Sequence, residues 1–224
     1  MHFAKPVLLG LLAISVALVV ILSAGVHSPL STPGGGRFIA EAAAPLLIYM
    51  LVVVLAQRIA GSAAAYRVGV ITGALGAGVQ IIHMSLEAFG SHVGDASSVT
   101  FVFMGMAFGI WGWAGFWISR LTGKASQAVR GAGLSAGISM TIVVAYGILL
   151  AAAGYPDANY VATWPEFKQS SWNDVRSFAI ANCFDAVFTH LVTAPVLGMM
   201  LGGLGHLVAA VVGSPTQRAH NAQP

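Results

Sequence analysis

The sequence feature that most constrains the fold is a series of long apolar stretches separated by short segments that carry most of the charges. The hydrocarbon core of a bilayer is about 30 Å thick, so a helix that rises 1.5 Å per residue needs roughly 20 apolar residues to cross it. The predicted spans are about 7–26, 38–57, 68–90, 99–119, 132–153 and 177–200. We therefore predict an all-α, polytopic membrane helical bundle.

The composition excludes a water-soluble domain. Hydrophobic residues make up 57% of the 224 residues and charged residues only 8%, whereas about 25% of a soluble domain is charged. The Lys and Arg residues behind the net charge of +3 are scattered singly along the chain, so they form no basic run that would bind nucleic acid. The lipid bilayer is the expected environment, and nucleic acid is not an expected partner.

The positions of the basic residues predict the orientation of the bundle. Three of them, Arg37, Lys168 and Arg176, fall on one side of the predicted spans, and the other seven fall on the opposite side. Because the side rich in Lys and Arg remains in the cytoplasm, both termini are predicted to be cytoplasmic. The short connections and this asymmetry fit a bacterial inner (plasma) membrane.

The chain is predicted to form a single transmembrane domain, residues 1–213, followed by a short cytoplasmic tail, 214–224. The first apolar stretch follows Lys5 and precedes small residues, so a cleaved signal peptide is the alternative to a first span. Its core of about 19 residues exceeds the usual 7–15 of a signal peptide, which favours an uncleaved span.

The last apolar region, from Phe178 to Val212, is too long for one upright helix and too short for two spans with a turn. It contains Pro195 and the Gly202–Gly203 pair, which weaken a helix. We therefore expect a kinked or interfacial continuation from residue 200 to residue 213.

Small residues occur at the spacing that allows helices to pack closely. Two glycines four residues apart lie on one helix face, where another backbone can approach. Such faces predict close packing, and they are also candidate contacts for a homo-oligomer or for partners in a membrane complex. The pairs are Gly69/Gly73, Gly105/Gly109, Gly133/Gly137 and Gly198/Gly202.

Polar side chains form one stripe on the third predicted span and one on the last. The stripe on the third span, within an arc of roughly 80°, consists of Gln80, His83 and Glu87, with Ser91 following. The stripe on the last span, within roughly 140°, consists of Asn182, Asp185, Thr189, His190 and Thr193. An ionisable residue at membrane depth costs at least ~2.5 kcal/mol and usually faces the bundle interior. We therefore expect the two stripes to face each other.

Depth makes this pairing specific. The two spans run in opposite directions, and the helical rise places both His83 and Asp185 about 10–12 Å below the outer surface. We predict that these two side chains touch, either as a proton-handling or metal-binding pair or as a hydrogen bond that locks two helices together. Glu41 lies near the level of Glu87, although Arg37, four residues earlier, could bind it in an ordinary ion pair.

Together these residues predict an outward-facing polar pocket, in which His83, Glu87 and Asp185 could bind a metal ion. The order His-x-x-x-Glu matches neither the zincin motif nor the carboxylate di-iron motif. Haem is disfavoured, since His83 and His190 differ in predicted depth by about 9 Å. The predicted pocket residues are Glu41, Gln80, His83, Glu87, Asn182, Asp185, Thr189 and His190.

Three classes of function fit these observations. The first is a transporter or binding subunit for a cation, a proton-coupled solute or a small polar molecule. The second is a membrane-embedded enzyme, in which a metal or acid–base residues act on a lipid-linked or amphipathic substrate. The third is a non-catalytic membrane subunit of a larger complex. The sequence does not name the substrate.

Overall fold

The computed structural model describes residues 4–89 and 96–212. Six helices of the described chain are long and apolar enough to cross a membrane, which confirms the predicted polytopic helical bundle. Ser91 and the predicted tail 214–224 lie outside the described residues. The helices are α1 (Ala4–Ala24), α2 (Gly36–Ala60), α3 (Ala63–Phe89), α4 (Ala96–Thr122), α5 (Ala125–Ala152), α6 (Ala158–Val161), α7 (Pro165–Lys168) and α8 (Val175–Val211).

Helix α8 differs most from its prediction. It continues as one α-helix of 37 residues through Pro195 and Gly202 to Val211, eleven residues beyond the predicted end of the last span at residue 200. Proline removes one backbone donor, and glycine lowers helix propensity. Both are tolerated here because tertiary packing of this face supplies the stability that local propensity lacks.

Helix α5 forms the centre of the bundle. Every residue from Gly131 to Thr141 is buried, and α5 packs against α1, α2, α3, α4 and α8. Helix α4 in turn packs against both α3 and α8. Helices α4 and α5 therefore separate α3 from α8.

The close packing depends on glycine. A Cβ atom added to Gly73 would lie 2.8 Å from the Ser135 carbonyl oxygen, and one added to Gly202 would lie 2.6 Å from the Ala132 Cβ. At Gly105 and Gly109, by contrast, no atom lies within 4 Å of such a Cβ. Three of the four glycine pairs thus face neighbouring helices of the same chain, and only the pair on α4 faces outward.

Two arginines indicate where the hydrocarbon core lies. Arg130 is exposed near the beginning of α5, and Arg176 at the other end of the bundle donates a hydrogen bond to the Ala151 carbonyl oxygen. The stretch of α5 from 130 to 151 rises about 32 Å, close to the thickness of a bilayer core. Asp185, nine residues after Arg176, lies about 14 Å along α8 from that boundary, near the middle of the bilayer.

Candidate functional site

The polar stripe on the third span lies on α3 and is called the α3 stripe. Its residue His83 is 7% exposed and has partners on two helices. Its Nε2 atom lies 3.3 Å from Oε1 of Glu87, one turn later on α3, and 3.1 Å from Oγ1 of Thr100 on α4. Its ring stacks on Phe103, with ring centroids 5.2 Å apart. His83 therefore faces α4.

This arrangement can hold a proton between two groups. When Nε2 of His83 carries a proton, it can donate to the Glu87 carboxylate; without that proton, Nε2 can accept from the Thr100 hydroxyl. The side chain of Glu87 is 53% exposed, so it joins the buried imidazole to the surface of the bundle. Predicted pocket residue Gln80 is half-buried on the same helix and has no hydrogen-bond partner among the described side chains.

Glu41 on α2 pairs with Arg37, whose Nε lies 3.3 Å from Glu41 Oε1. This is the ion pair that its spacing allows. The second carboxylate oxygen of Glu41, Oε2, is buried and has no partner in the described structure. Glu41 is thus held near the N-terminal end of α2 by a residue of its own helix.

The polar stripe on the last span lies on α8, is called the α8 stripe, and faces the outside of the bundle. All five of its side chains, Asn182, Asp185, Thr189, His190 and Thr193, are exposed. His190 and Thr193 bond back to carbonyl oxygens of their own helix, at 2.7 Å and 2.6 Å. The other three have no hydrogen-bond or ion-pair partner anywhere in residues 4–89 and 96–212.

The predicted contact between His83 and Asp185 is wrong. His83 is buried against α4, whereas Asp185 is exposed on α8. The two residues do lie at a similar level along the bundle. Gly137 packs on Pro195, and Tyr146, which bonds to Ser85, lies nine residues or about 14 Å further along α5. Asp185 lies ten residues or about 15 Å from Pro195 in the same direction. The two groups are therefore level but face different directions.

The rotation of α8 explains this outcome. Gly198, Gly202 and Gly205 lie on the buried face of α8 and meet the backbones of α4 and α5. Since 16 residues turn a helix by roughly 160°, the face that contains Gly198 lies opposite the one that contains Asn182. Packing the glycines inward therefore turns the polar residues outward.

A single chain does not assemble the predicted pocket or metal site from both stripes. No group of three or more His, Cys, Asp or Glu side chains that could hold a metal occurs among the described residues. His83 and Glu87 are together, but Asp185 is not with them. Two cavities lie elsewhere, one of about 670 Å³ beside Lys5 and Arg58 and one of about 500 Å³ between α3 and α4, beside Trp113.

The structure adds a polar cluster that the sequence analysis did not assign. Asp174 caps α8 by accepting hydrogen bonds from the backbone N–H groups of Arg176 and Ser177, and its Oδ2 lies 3.0 Å from Nδ1 of His27. Burial raises the pKa of Asp174, but the bonds from Ser177, His27 and Arg176 outweigh it and lower the pKa to about 2. An Asp directly before a long apolar run is the capping signal that could have revealed this residue.

A second unassigned contact lies at the opposite end of the bundle from Asp174. Ser119 on α4 is buried, and its Oγ lies 2.7 Å from Nδ1 of His206 on α8. This bond joins the same two helices that meet at Gly115 and Gly202. Both ends of α8 are thus fixed by polar contacts.

Comparison with known proteins finds no family model, no curated protein and no solved structure that this chain matches.

Proposed function

We propose that this chain is a membrane subunit that works in an assembly, and that the α8 stripe is the surface through which it contacts another membrane protein chain. The observation that carries the proposal is the Asp185 carboxyl group, exposed near the middle of the bilayer and without a partner in the described chain. This proposal takes the third of the function classes open from the sequence.

The free-energy cost of exposing the polar groups of the α8 stripe to lipid supports the proposal. An Asp at the centre of a spanning helix costs about 2.5–3.5 kcal/mol on insertion scales, and Asn182 and Thr189 add further polar groups without partners. In hydrocarbon no water is present to satisfy them. Hydrogen bonds to a neighbouring helix contribute about 0.6–2 kcal/mol each in membranes. A protein partner would therefore stabilise this face, whereas lipid would not.

An interface built from α8 stripes would also suit a transporter, the first of the function classes. If α8 stripes lie between chains, polar groups line the interface at membrane depth, and a path for a cation or small polar solute would run between subunits. Within each chain, His83 and Glu87 are the pair best suited to exchange a proton. We propose a bacterial inner membrane location with both termini in the cytoplasm, in keeping with the distribution of Lys and Arg.

The experiment is photo-crosslinking in intact cells. A benzophenone amino acid replaces Thr189 or Thr193 on the stripe. The matched controls replace Leu51 on α2 and Phe101 on α4, which are 60% and 72% exposed. Leu51 has nearly the same depth as the stripe, since the hydroxyl of Tyr49 donates to the Leu191 carbonyl oxygen at 2.7 Å.

We expect discrete protein adducts from the two stripe positions and none from the controls. Asp185→Leu should reduce the adduct from position 193, because it removes a polar contact, while Asp185→Asn should retain most of it. Equal adducts at stripe and control positions, or none at the stripe, would show that α8 faces lipid. In that case Asp185→Leu should instead increase the amount of protein inserted, since leucine is favoured in lipid.

A further inference from the structure

The exposed face of α8 carries a regular repeat that extends beyond the α8 stripe. Starting at Asn182, its residues recur at alternating spacings of four and three along the helix. Every one is exposed or half-buried in the bundle. Seven-residue periodicity of this kind is typical of helices that pair as a left-handed coiled coil. The seam consists of Asn182, Ala186, Thr189, Thr193, Val196, Met200, Gly203 and Leu207.

Two ionisable residues flank this seam on opposite sides. Asp185 directly precedes the seam residue Ala186, and His190 directly follows the seam residue Thr189. In heptad notation these are a g position and the e position of the next heptad, five residues later. Within one helix, five residues span about 140° of rotation, so the two side chains point away from each other. Across two parallel helices, g and e residues at this spacing are the ones that pair.

We propose that the partner of the α8 stripe is a second copy of this chain, held in a parallel, two-fold symmetric α8–α8 contact in which each Asp185 pairs with His190 of the other copy. This inference rests on the proposed function, because it names the partner of that same surface. Asn182, at a d position of the same repeat, then faces Asn182 of the other copy, where each amide can donate a hydrogen bond to the other.

In the proposed pair, each hydrogen-bond donor and acceptor of the His190 ring has a partner. Nδ1 of His190 lies 2.7 Å from the Ala186 carbonyl oxygen, which can only accept, so Nδ1 carries a proton and donates it. Nε2 is then left for the carboxyl group of the other copy. One proton shared between that carboxyl group and Nε2 satisfies both. Two such pairs in one dimer leave neither Asp185 unpaired in the bilayer.

A second copy fits better than a different protein for two further reasons. Copies of one chain insert with the same topology, so their α8 helices are automatically parallel, as the g–e pairing requires. The seam also continues past the polar residues into Val196, Met200 and Leu207, all exposed and apolar. An isologous interface needs this kind of self-complementary surface along its length.

The decisive experiment is a swap of the two flanking residues. Asp185→His should place two histidines opposite each other, and His190→Asp should place two carboxyl groups opposite each other. Each single variant should weaken dimerisation about tenfold, a change consistent with the loss of two interhelical polar contacts. The double variant D185H/H190D restores the pair in reversed order and should recover dimerisation to within about threefold. Dimerisation is measured by energy transfer between fluorescently labelled copies in lipid vesicles.

Disulfide formation tests the seam independently. In a Cys183→Ala background, which removes the only native cysteine, Thr193→Cys lies on the seam. Phe188→Cys lies off the seam on the same helix and is 43% exposed. Oxidation in native membranes should join two copies through position 193 and not through position 188. Heat stability of the variants at low protein-to-lipid ratio shows whether each monomer remains folded.

The outcomes separate this inference from the proposed function. If position 193 does not join two copies, and the swap does not restore energy transfer, the second copy is the wrong partner. Photo-adducts between Thr193 and a different protein would then leave the proposed function standing. If neither type of adduct forms, both fail. Self-adducts at 193 without rescue by the swap would overturn the Asp185–His190 pairing.

Discussion

The α3 stripe and the α8 stripe have similar residues and similar depth but opposite surroundings. On α3, His83 is buried and meets Glu87 and Thr100. On α8, Asp185 is exposed and has no partner among the described residues. A polar residue in a spanning helix therefore need not find a partner within its own chain, and the sequence pattern alone does not show whether it does.

The difference follows from which contacts fix each helix. Helix α3 packs its small residues against α5 and places His83 toward the beginning of α4, where Thr100 and Phe103 receive it. Helix α8 packs its glycines against α4 and α5, and the polar residues lie on the far side. Close backbone packing over several turns outweighs the cost of a few exposed polar groups, provided that another surface covers them.

The largest expected effect comes from the glycine face of α8. Gly202→Val places a Cβ 2.6 Å from the Ala132 Cβ, and overpacking of this kind costs about 1–3 kcal/mol, occasionally more. We expect a loss near 3 kcal/mol because both neighbours are helix backbone and short side chains. Thermal unfolding in mild detergent measures the change.

Gly105→Val is the matched control, since nothing lies within 4 Å of its Cβ position. It should leave stability unchanged or raise it slightly, because valine is the better residue in an exposed spanning helix. If Gly202→Val lowered the thermal stability no more than Gly105→Val does, the glycine face of α8 would not be packed against α5. The α8 stripe would then not be turned outward.

Much of this fold could be predicted from the sequence, because a bilayer fixes helix length and depth. The six spans and the common level of His83 and Asp185 followed from rise per residue alone. The neighbours of each helix could not be predicted in this way, because the central position of α5 depends on which helix faces pack together. One available signal was the opposition of Gly198 and Asn182 on α8, about 160° apart. The packed structure is needed to compare the free energy gained by burying that glycine face with the free-energy cost of exposing Asp185.

The contact of His83 with Thr100 can be tested by a double-mutant cycle. Replacing His83 by Ala leaves the Thr100 hydroxyl without one of its bonds, at a cost of about 1–3 kcal/mol. In a double-mutant cycle with Thr100→Val, the combined loss should be clearly smaller than the sum of the single losses. In the cycle of His83→Ala with Asp185→Ala, measured on monomers, the effects of the two substitutions should add, because the two side chains share no contact.

Chemical denaturation at low protein-to-lipid ratio measures both cycles. Strong coupling between His83 and Asp185 under those conditions would restore the contact that the sequence suggested and would contradict the separation of α3 from α8. Additivity in both cycles would instead mean that Thr100 does not stabilise the buried histidine.

The smallest expected effect compares Asp185 with the carboxylate that caps α8, Asp174, which is fully partnered at the N-terminal end of the helix. Replacing this cap by Ala should cost about 1 kcal/mol. Because folding lowers the pKa of Asp174 from 3.8 to about 2, the folded state favours the ionised group. Its contribution is therefore complete above about pH 4 and is lost as the pH falls toward 2. The difference in unfolding free energy between wild type and Asp174→Ala should shrink over that interval.

Asp157→Ala is the matched control, since Asp157 caps the four-residue helix α6 and not a spanning helix. A difference that stays constant down to pH 2 would mean that the Asp174 carboxylate, with its bonds to Ser177 and His27, does not hold the N-terminal end of α8.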